Sequence, residues 1–544
     1  MRLLTCLTAA AALFLSLAHP ALGAPKEIKT ANDTPVTLSP FEVVANTVEF
    51  KAWKKFSSEH FILYTDSGEK DSVRLLRNLE MLRLVEMAFF LRRPLALSRI
   101  VIVMPTSSSD WRKIASKGSV QWQVATSSAG WLACRSVLVQ YDWDEDGAGL
   151  VQCSVAKIVL DDIDLTGPLW FTTGIGRFFE TAEFNKDKVT IGRENPGVLA
   201  LRAEGWLEWP VFFAVNSSSP EFTQERSVQR YVGQCTAFVQ YLLTNKEPAW
   251  VDRLLLWDAL MDAGAPPNEA DFKANFGQDW PTWQKTMEHY LSGGEYVVKT
   301  YTLPPDVAQT PVTRHDLKAR EMRDLFVLAQ IQAQNIPASD AALDSILASG
   351  LKTSGLREML IEACHERGRP DVVVAKCREL IAEGSTNAGV YATAADVLFW
   401  KDIRDIKLTS NIGEDGPQIE AWCRQALAIE PLLEPANATL AWTLALKPKP
   451  STQDLADIKS ICKRMSGVVV TSPMFAALAM AHRRSGDPKY ALHIADALLK
   501  SKYTAKRDRR LAEQLIQDIT GIPAATVPIP LSSDAVTPVP AKAR

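Results

Sequence analysis

A chain of 544 residues, 47% hydrophobic and 23% charged, has the length and balance of two or three globular domains with full cores. Its formal net charge of −3 and its lack of any Lys/Arg-rich tract argue against nucleic acid as the main partner. Beyond the N-terminus no run approaches the roughly 20 apolar residues of a membrane span, so no transmembrane segment is expected.

Arg2 and the apolar run Leu3 to Leu17 have the layout of a secretory signal, with Ala21-Leu22-Gly23 as cleavage site. The expectation is a signal peptide over 1–23 and an exported protein, periplasmic or extracellular. No cysteine follows the cleavage point to carry a lipid anchor. Residues 24–48 are polar and proline-punctuated and read as a leader or linker.

From 49 the pattern becomes globular. HFILYT (His60–Thr65) reads as a strand. Asp71 can cap a helix to about Leu91, with Leu75, Leu79, Leu82, Val85 and Phe89 on one face. Arg99–Met104 and Ser136–Tyr141 read as further strands. Helices are expected at about Val151–Ile163, Pro168–Thr181, Ser227–Thr244, Trp250–Ala263 and Trp280–Leu291. Strands first and helices after predict an α+β domain over 49–296. The proline-rich TYTLPPDVAQTPVT (Thr300–Thr313) predicts a linker over 297–316. Residues 317–520 read as helical throughout, with an irregular insertion near 401–417, and 521–544 as a disordered tail.

Once Cys6 leaves with the signal, seven cysteines remain: Cys134, Cys153, Cys235, Cys364, Cys377, Cys423 and Cys462. An odd number at irregular spacing is no disulfide framework. A Cys134–Cys153 bridge stays open, because strand-like segments flank it. DWDEDG (Asp142–Gly147) opens like a calcium loop, but position twelve is Cys153 rather than a bidentate glutamate, so an acidic turn is the simpler reading. Asp161, Asp162 and Asp164 read as a polar helix exit. There is no phosphate loop and no G-x-S-x-G elbow. Trp122, Trp131, Trp143, Trp170, Trp206 and Trp209 are read mainly as core.

Two resemblances organise these segments. FSSEHFILYTDSGEKDSVRLLRNLEMLRLVEMAF, PLWFTTGIGRFFE, YVGQCTAFVQYLL and ANFGQDWPTWQKTMEHYL occur in the order of a peptidase-MA-like, gluzincin-type domain of bacterial secreted proteins, which the chain resembles over 49–295. The paired alanines Ala363/Ala375 across GRP and Ala479/Ala491 across GDP, with AWCRQALAIEP (Ala421–Pro431), resemble tetratricopeptide repeats. The resemblances imply a zincin-like peptidase-type domain followed by an all-α tetratricopeptide-like repeat domain.

The first resemblance also implies a metal site. Family members carry H-E-x-x-H on one helix and the Glu of W-x-x-E-G on the next, binding zinc and activating its water. Aligned on Trp170 and Gly174, those positions fall on Ser154, Val155, Ile158 and Thr173. No histidine lies between His60 and His289, and no glutamate between Glu145 and Glu180. The expectation is therefore no metal, no cofactor and no catalytic residue. The reading is an exported pseudo-peptidase that binds a protein or peptide through a metal-free cleft and a helical-repeat surface. A cell-envelope hydrolase with a non-zinc mechanism in the same cleft, and a purely structural envelope protein, are the alternatives.

Overall fold

The computed structural model describes residues 52–90, 99–114, 124–126, 135–139, 147–162, 167–194, 196–244, 249–262, 266–292, 297–332, 339–353, 355–465, 472–501, 504 and 506–521. The expected signal peptide, the leader, most of Asp142–Gly147, Cys134, Asp164, three of the tryptophans (Trp122, Trp131, Trp143) and the tail past Gly521 lie outside these residues.

The shortest apolar runs build the centre. β2 (Phe61–Thr65, FILYT) and β3 (Ile100–Met104, IVIVM) are buried at every residue. Such runs suit parallel strands covered on both faces. β3 pairs in parallel with β2 and with β5 (Arg135–Val139). Three strands pair antiparallel at the flanks: β4 (Val124–Thr126) with β5, β1 (Lys54–Ser57) with β2, and β9 (Thr313–Asp316) with β1. The sheet order is β4-β5-β3-β2-β1-β9.

The parallel β2–β3 pair needs a crossover. It is made by helix α1 (Glu69–Phe90), close to the expected span. A short α2 (Ser108–Ile114) follows β3. Next come α3 (Gly147–Asp162) and α4 (Leu169–Glu180), then a hairpin of β6 (Glu183–Asn185) and β7 (Lys188–Ile191). Helices α5 (Pro196–Glu204), α6 (Trp209–Ala214), α7 (Pro220–Thr223), α8 (Glu225–Thr244), α9 (Ala249–Asp262), α10 (Glu269–Phe276) and α11 (Trp280–Ser292) complete this part.

The expected linker over 297–316 is different in the structure. β8 (Lys299–Thr302) adds a third strand to the β6–β7 hairpin, and β9 pairs residue by residue with β1 from Ser57↔Thr313 to Lys54↔Asp316. Thr, Tyr and Val favour strands on either side of the prolines, while Pro304 and Pro305 are confined to the single turn of α12 (Pro305–Ala308).

The residues after β9 cover the sheet's other face. Alternate side chains of a strand point to opposite sides. Ile62, Tyr64, Val101, Val103 and Leu138 share one core with Trp53, Trp111 and the helical half, including Leu325 and Phe326 of α13 (Ala319–Gln332). Phe61, Leu63, Ile100, Ile102 and Val137 share the other core with α1, α3, α4 and α8. The sheet is a common wall, and residues from Phe50 onward form one compact unit.

The rest of the helical half runs through α14 (Ser339–Ser349), α15 (Leu356–Glu366), α16 (Pro370–Ala382), α17 (Ala388–Asp402), α18 (Gly416–Ile429), α19 (Glu434–Ala445), α20 (Thr452–Met465), α21 (Ser472–Arg484), α22 (Pro488–Lys500) and α23 (Lys506–Thr520). Two hairpins, α15–α16 and α21–α22, turn in the same way. Gly368 and Gly486 take φ of 63° and 88° after the first helix, and Pro370 and Pro488 open the second. Ala363, Ala479 and Ala491 are buried, as close helix approach requires, but Ala375 is exposed. The buried face of α16 is formed by Val373, Val374, Cys377 and Leu380 instead. The irregular stretch between α17 and α18 is held by Arg484, whose guanidinium donates to the carbonyls of Leu408, Ser410 and Leu446 and to Asn411 Oδ1. Among the described residues no helix is long and apolar enough to cross a membrane.

Candidate functional site

The positions that the resemblance assigns to metal chemistry lie on α3 and α4. Ser154, Val155, Ile158 and Thr173 are 3%, 0%, 2% and 5% exposed. Ser154 turns its hydroxyl back onto its own helix, donating to the Leu150 carbonyl at 2.8 Å. Val155 and Ile158 belong to the same buried cluster as Trp170, Phe171 and Phe178.

The α3 residues that meet α4 lie on another stripe of the helix. A Cβ placed on Gly176 of α4 would lie 2.8 Å from Cys153 Sγ and 2.7 Å from Lys157 Cε, and one on Gly149 would lie 2.8 Å from Glu180 Cγ. Gly149, Cys153 and Lys157 are thus the i, i+4, i+8 stripe that meets α4, with the two helices antiparallel. At about 100° per residue, Val155 lies roughly 200° and Ile158 roughly 140° around the helix from Cys153. Both therefore point away from α4, so the pair with H-x-x-x-H spacing facing α4 is Cys153 and Lys157. An ammonium repels a metal ion, and a lone thiol is not a metal site. Cys153 is a buried thiol beside Gly176, and Cys134, the other half of the bridge left open above, lies outside the described residues.

On its other side α4 meets α8 with equal closeness. A Cβ on Gly174 would sit 2.4 Å from Val239 Cγ2 and 2.6 Å from the Cys235 carbonyl oxygen. Burial pushes the Cys235 thiol far above its ordinary range, so it stays protonated and unreactive. At the α4 end, Arg177 Nη1 donates to both oxygens of Glu180, at 2.8 and 2.7 Å. Burial opposes the Arg177 charge, but nearby Cys153 and Glu180 raise its pKa above the ordinary value. Trp170 and Trp209 are core residues; Trp170 meets Phe213 and Phe238 edge-on, and Trp209 meets them tilted. Among the described residues no group of three or more His, Cys, Asp or Glu is placed to hold a metal ion.

One carboxyl in this part has no counterpart. Glu86 of α1 is 0% exposed, and neither oxygen has a hydrogen-bond partner. Burial raises its pKa well above the ordinary carboxylate value, favouring the protonated form.

Charge collects elsewhere, where the sheet meets the helical half. His60 Nδ1 and Glu80 Oε2 are 2.8 Å apart, and the His60 backbone N–H donates to Glu80 Oε1 at 2.9 Å. Burial works against the Glu80 carboxylate, but the bonds from His60 hold its pKa below the usual value. Arg83 Nε stands 3.8 Å from the same carboxylate. His60 also lines a cavity of about 530 Å³ together with Glu59, Arg99, Lys352, Arg357 and Glu430. Sequence reading overlooked this place because its residues come from loops and helix ends up to some hundreds of positions apart, with no shared periodicity. A scan of protein-family models matches no family, and no curated protein matches the chain.

Proposed function

We propose that this protein is an exported binding protein built on a zincin-like, peptidase-type frame without metal chemistry, joined to a tetratricopeptide-like helical region, and that it holds a protein or peptide ligand. The observation that carries the reading is the state of α3 and α4. Ser154, Val155, Ile158 and Thr173 are buried side chains that cannot bind zinc or activate water, and the register that does face α4 offers Cys153 and Lys157. A mixed sheet with an antiparallel edge strand ahead of the α3–α4 pair supports the frame. The test is metal analysis and casein hydrolysis by the purified mature chain. Zinc should stay far below one per chain and no chelator-sensitive cleavage should appear, while unfolded casein is retained on the immobilised protein. Stoichiometric zinc with chelator-sensitive hydrolysis would overturn the reading.

A further inference from the structure

The cavity at the seam has walls from both parts of the fold. Glu59, His60 and Arg99 come from the segments that enter β2 and β3. Lys352 comes from the segment before α15 and Arg357 from its first turn, and the turn 384–388 leads into α17. A second cavity of about 480 Å³ adjoins it, because Lys352, Arg357, Leu380 and Glu383 line both. Its remaining wall is largely aliphatic, with Ile346, Leu347, Leu351 and Leu360, and carries the paired charges of Lys376 and Glu379. Each volume falls in the range of about 300–1,000 Å³ that holds small ligands.

The charges in the wall are unequally used. Arg357 is paired with Glu383, with Glu379 a further 3.9 Å away, and His60 is bound to Glu80. Arg99 and Lys352 make no hydrogen bond or close ion pair among the described residues, although Lys352 acts on the Glu383 carboxylate through space. Arg99 is half-buried, and a partly desolvated guanidinium without a counter-ion is unfavourable. The N-terminus of α17, 15 residues long and capped by Asn387 on the Gly389 N–H, opens on the same space and adds partial positive charge. These features favour an anionic group.

A phosphate dianion fits poorly, because Glu59, Glu358, Glu383 and Glu430 stand in the same wall. Glu59 is the most open of them, with its side chain 76% exposed and His60 Nε2 3.8 Å away. A ligand with one carboxylate and one ammonium satisfies both signs, and an apolar side chain suits the aliphatic cavity. We infer that the joined cavities bind a short zwitterionic peptide, its carboxylate between Arg99 and Lys352, its C-terminal aliphatic side chain against Leu347, Leu351 and Leu360, and its ammonium toward Glu59. The inference rests on the reading of the protein as a peptide binder and names the place and the ligand's chemistry.

Titration calorimetry on the full mature chain tests it, with Ala-Ala-Leu, its C-terminal amide, its N-acetyl form, inorganic phosphate and unfolded casein as probes. Ala-Ala-Leu should bind, amidation should weaken it by about tenfold or more, and acetylation by a smaller factor. The double variant Arg99→Gln with Lys352→Gln should melt like the parent and lose about tenfold in affinity for Ala-Ala-Leu. Equal binding of the amide, undiminished binding by the double variant, or binding of phosphate alone would each overturn the inference. If casein is held and no tripeptide is, the inference falls and the broader reading stands. If neither is held, both fall.

Discussion

The α3–α4 helix pair and the seam cavity are two answers to one problem of packing. At the helix pair, glycines let backbones approach so closely that little space remains, and the charges present are either paired, as Arg177 with Glu180, or laid along the helix contact, as Lys157. At the seam, loops from both halves meet imperfectly, and charged groups are left around open volume. The positions that the resemblance assigns to a site are core, while the open space lies where no motif points. Closed packing makes stability, and incomplete packing between rigid parts makes room for binding.

The largest effect should come from breaking the wall the two regions share. A chain ending at Asp316 would expose the sheet face formed by Ile62, Tyr64, Val101, Val103, Trp53 and Trp111. Each is worth about 1.5–3 kcal/mol when buried, against a total stability of about 5–15 kcal/mol. The truncated chain should show no cooperative thermal transition by circular dichroism, whereas an independently folding N-terminal part would melt as sharply as the full chain.

A smaller effect tests the packed side alone. In Gly174→Ala the new methyl meets the Cys235 carbonyl, a backbone atom that cannot swing away, so the cost should be about 2–3 kcal/mol in urea titration. Lys352→Ala at the seam should stay within about 0.5 kcal/mol. Equal costs at the two positions would erase the contrast between them.

The smallest effect concerns pH. Glu86 has its folded pKa raised by burial from an ordinary 4.5. Above pH 4.5 the unfolded chain therefore loses a proton that the native chain keeps, and stability falls as pH rises toward the folded value. Asp396, pushed up to about 6, and Glu366, pushed up to about 8, act in the same direction, with burial the leading cause in both. Glu86→Gln should remove up to about 1.4 kcal/mol per pH unit of that slope between pH 5 and 7. An unchanged slope in denaturant melts would show that water reaches the carboxylate.

What could be read from the sequence follows the same division. β2 and β3 announced themselves as unbroken apolar runs, and α1, α4, α8 and α11 as amphipathic or aromatic helices with near-correct ends. The face of α3 was not legible. Its sequence GAGLVQCSVAKIVL is apolar nearly all round, so nothing in it marks which side meets α4, and only the contact at Gly176 decides. Nor could the runs in β2 and β3 say what covers each face. A strand buried on both sides looks the same whether its second cover is 30 or 300 residues away. The prolines of 300–313 suggested a break, but Pro304 and Pro305 open one turn and Pro311 precedes β9, all between two paired strands.

The pairing of β1 with β9 also sets an order in time. Thr313 Oγ1 donates to the Ser57 carbonyl across 256 residues, at 3.4 Å. At about 5–20 residues per second of synthesis, β1 waits roughly 13–50 s for its partner to exist. The far face of the sheet waits longer still, for the helices beyond 317. Contacts so distant along the chain are slow to form and leave apolar strands uncovered meanwhile. Such a chain gains its native sheet only once the last helices exist, and until then its apolar strands stay open to other contacts.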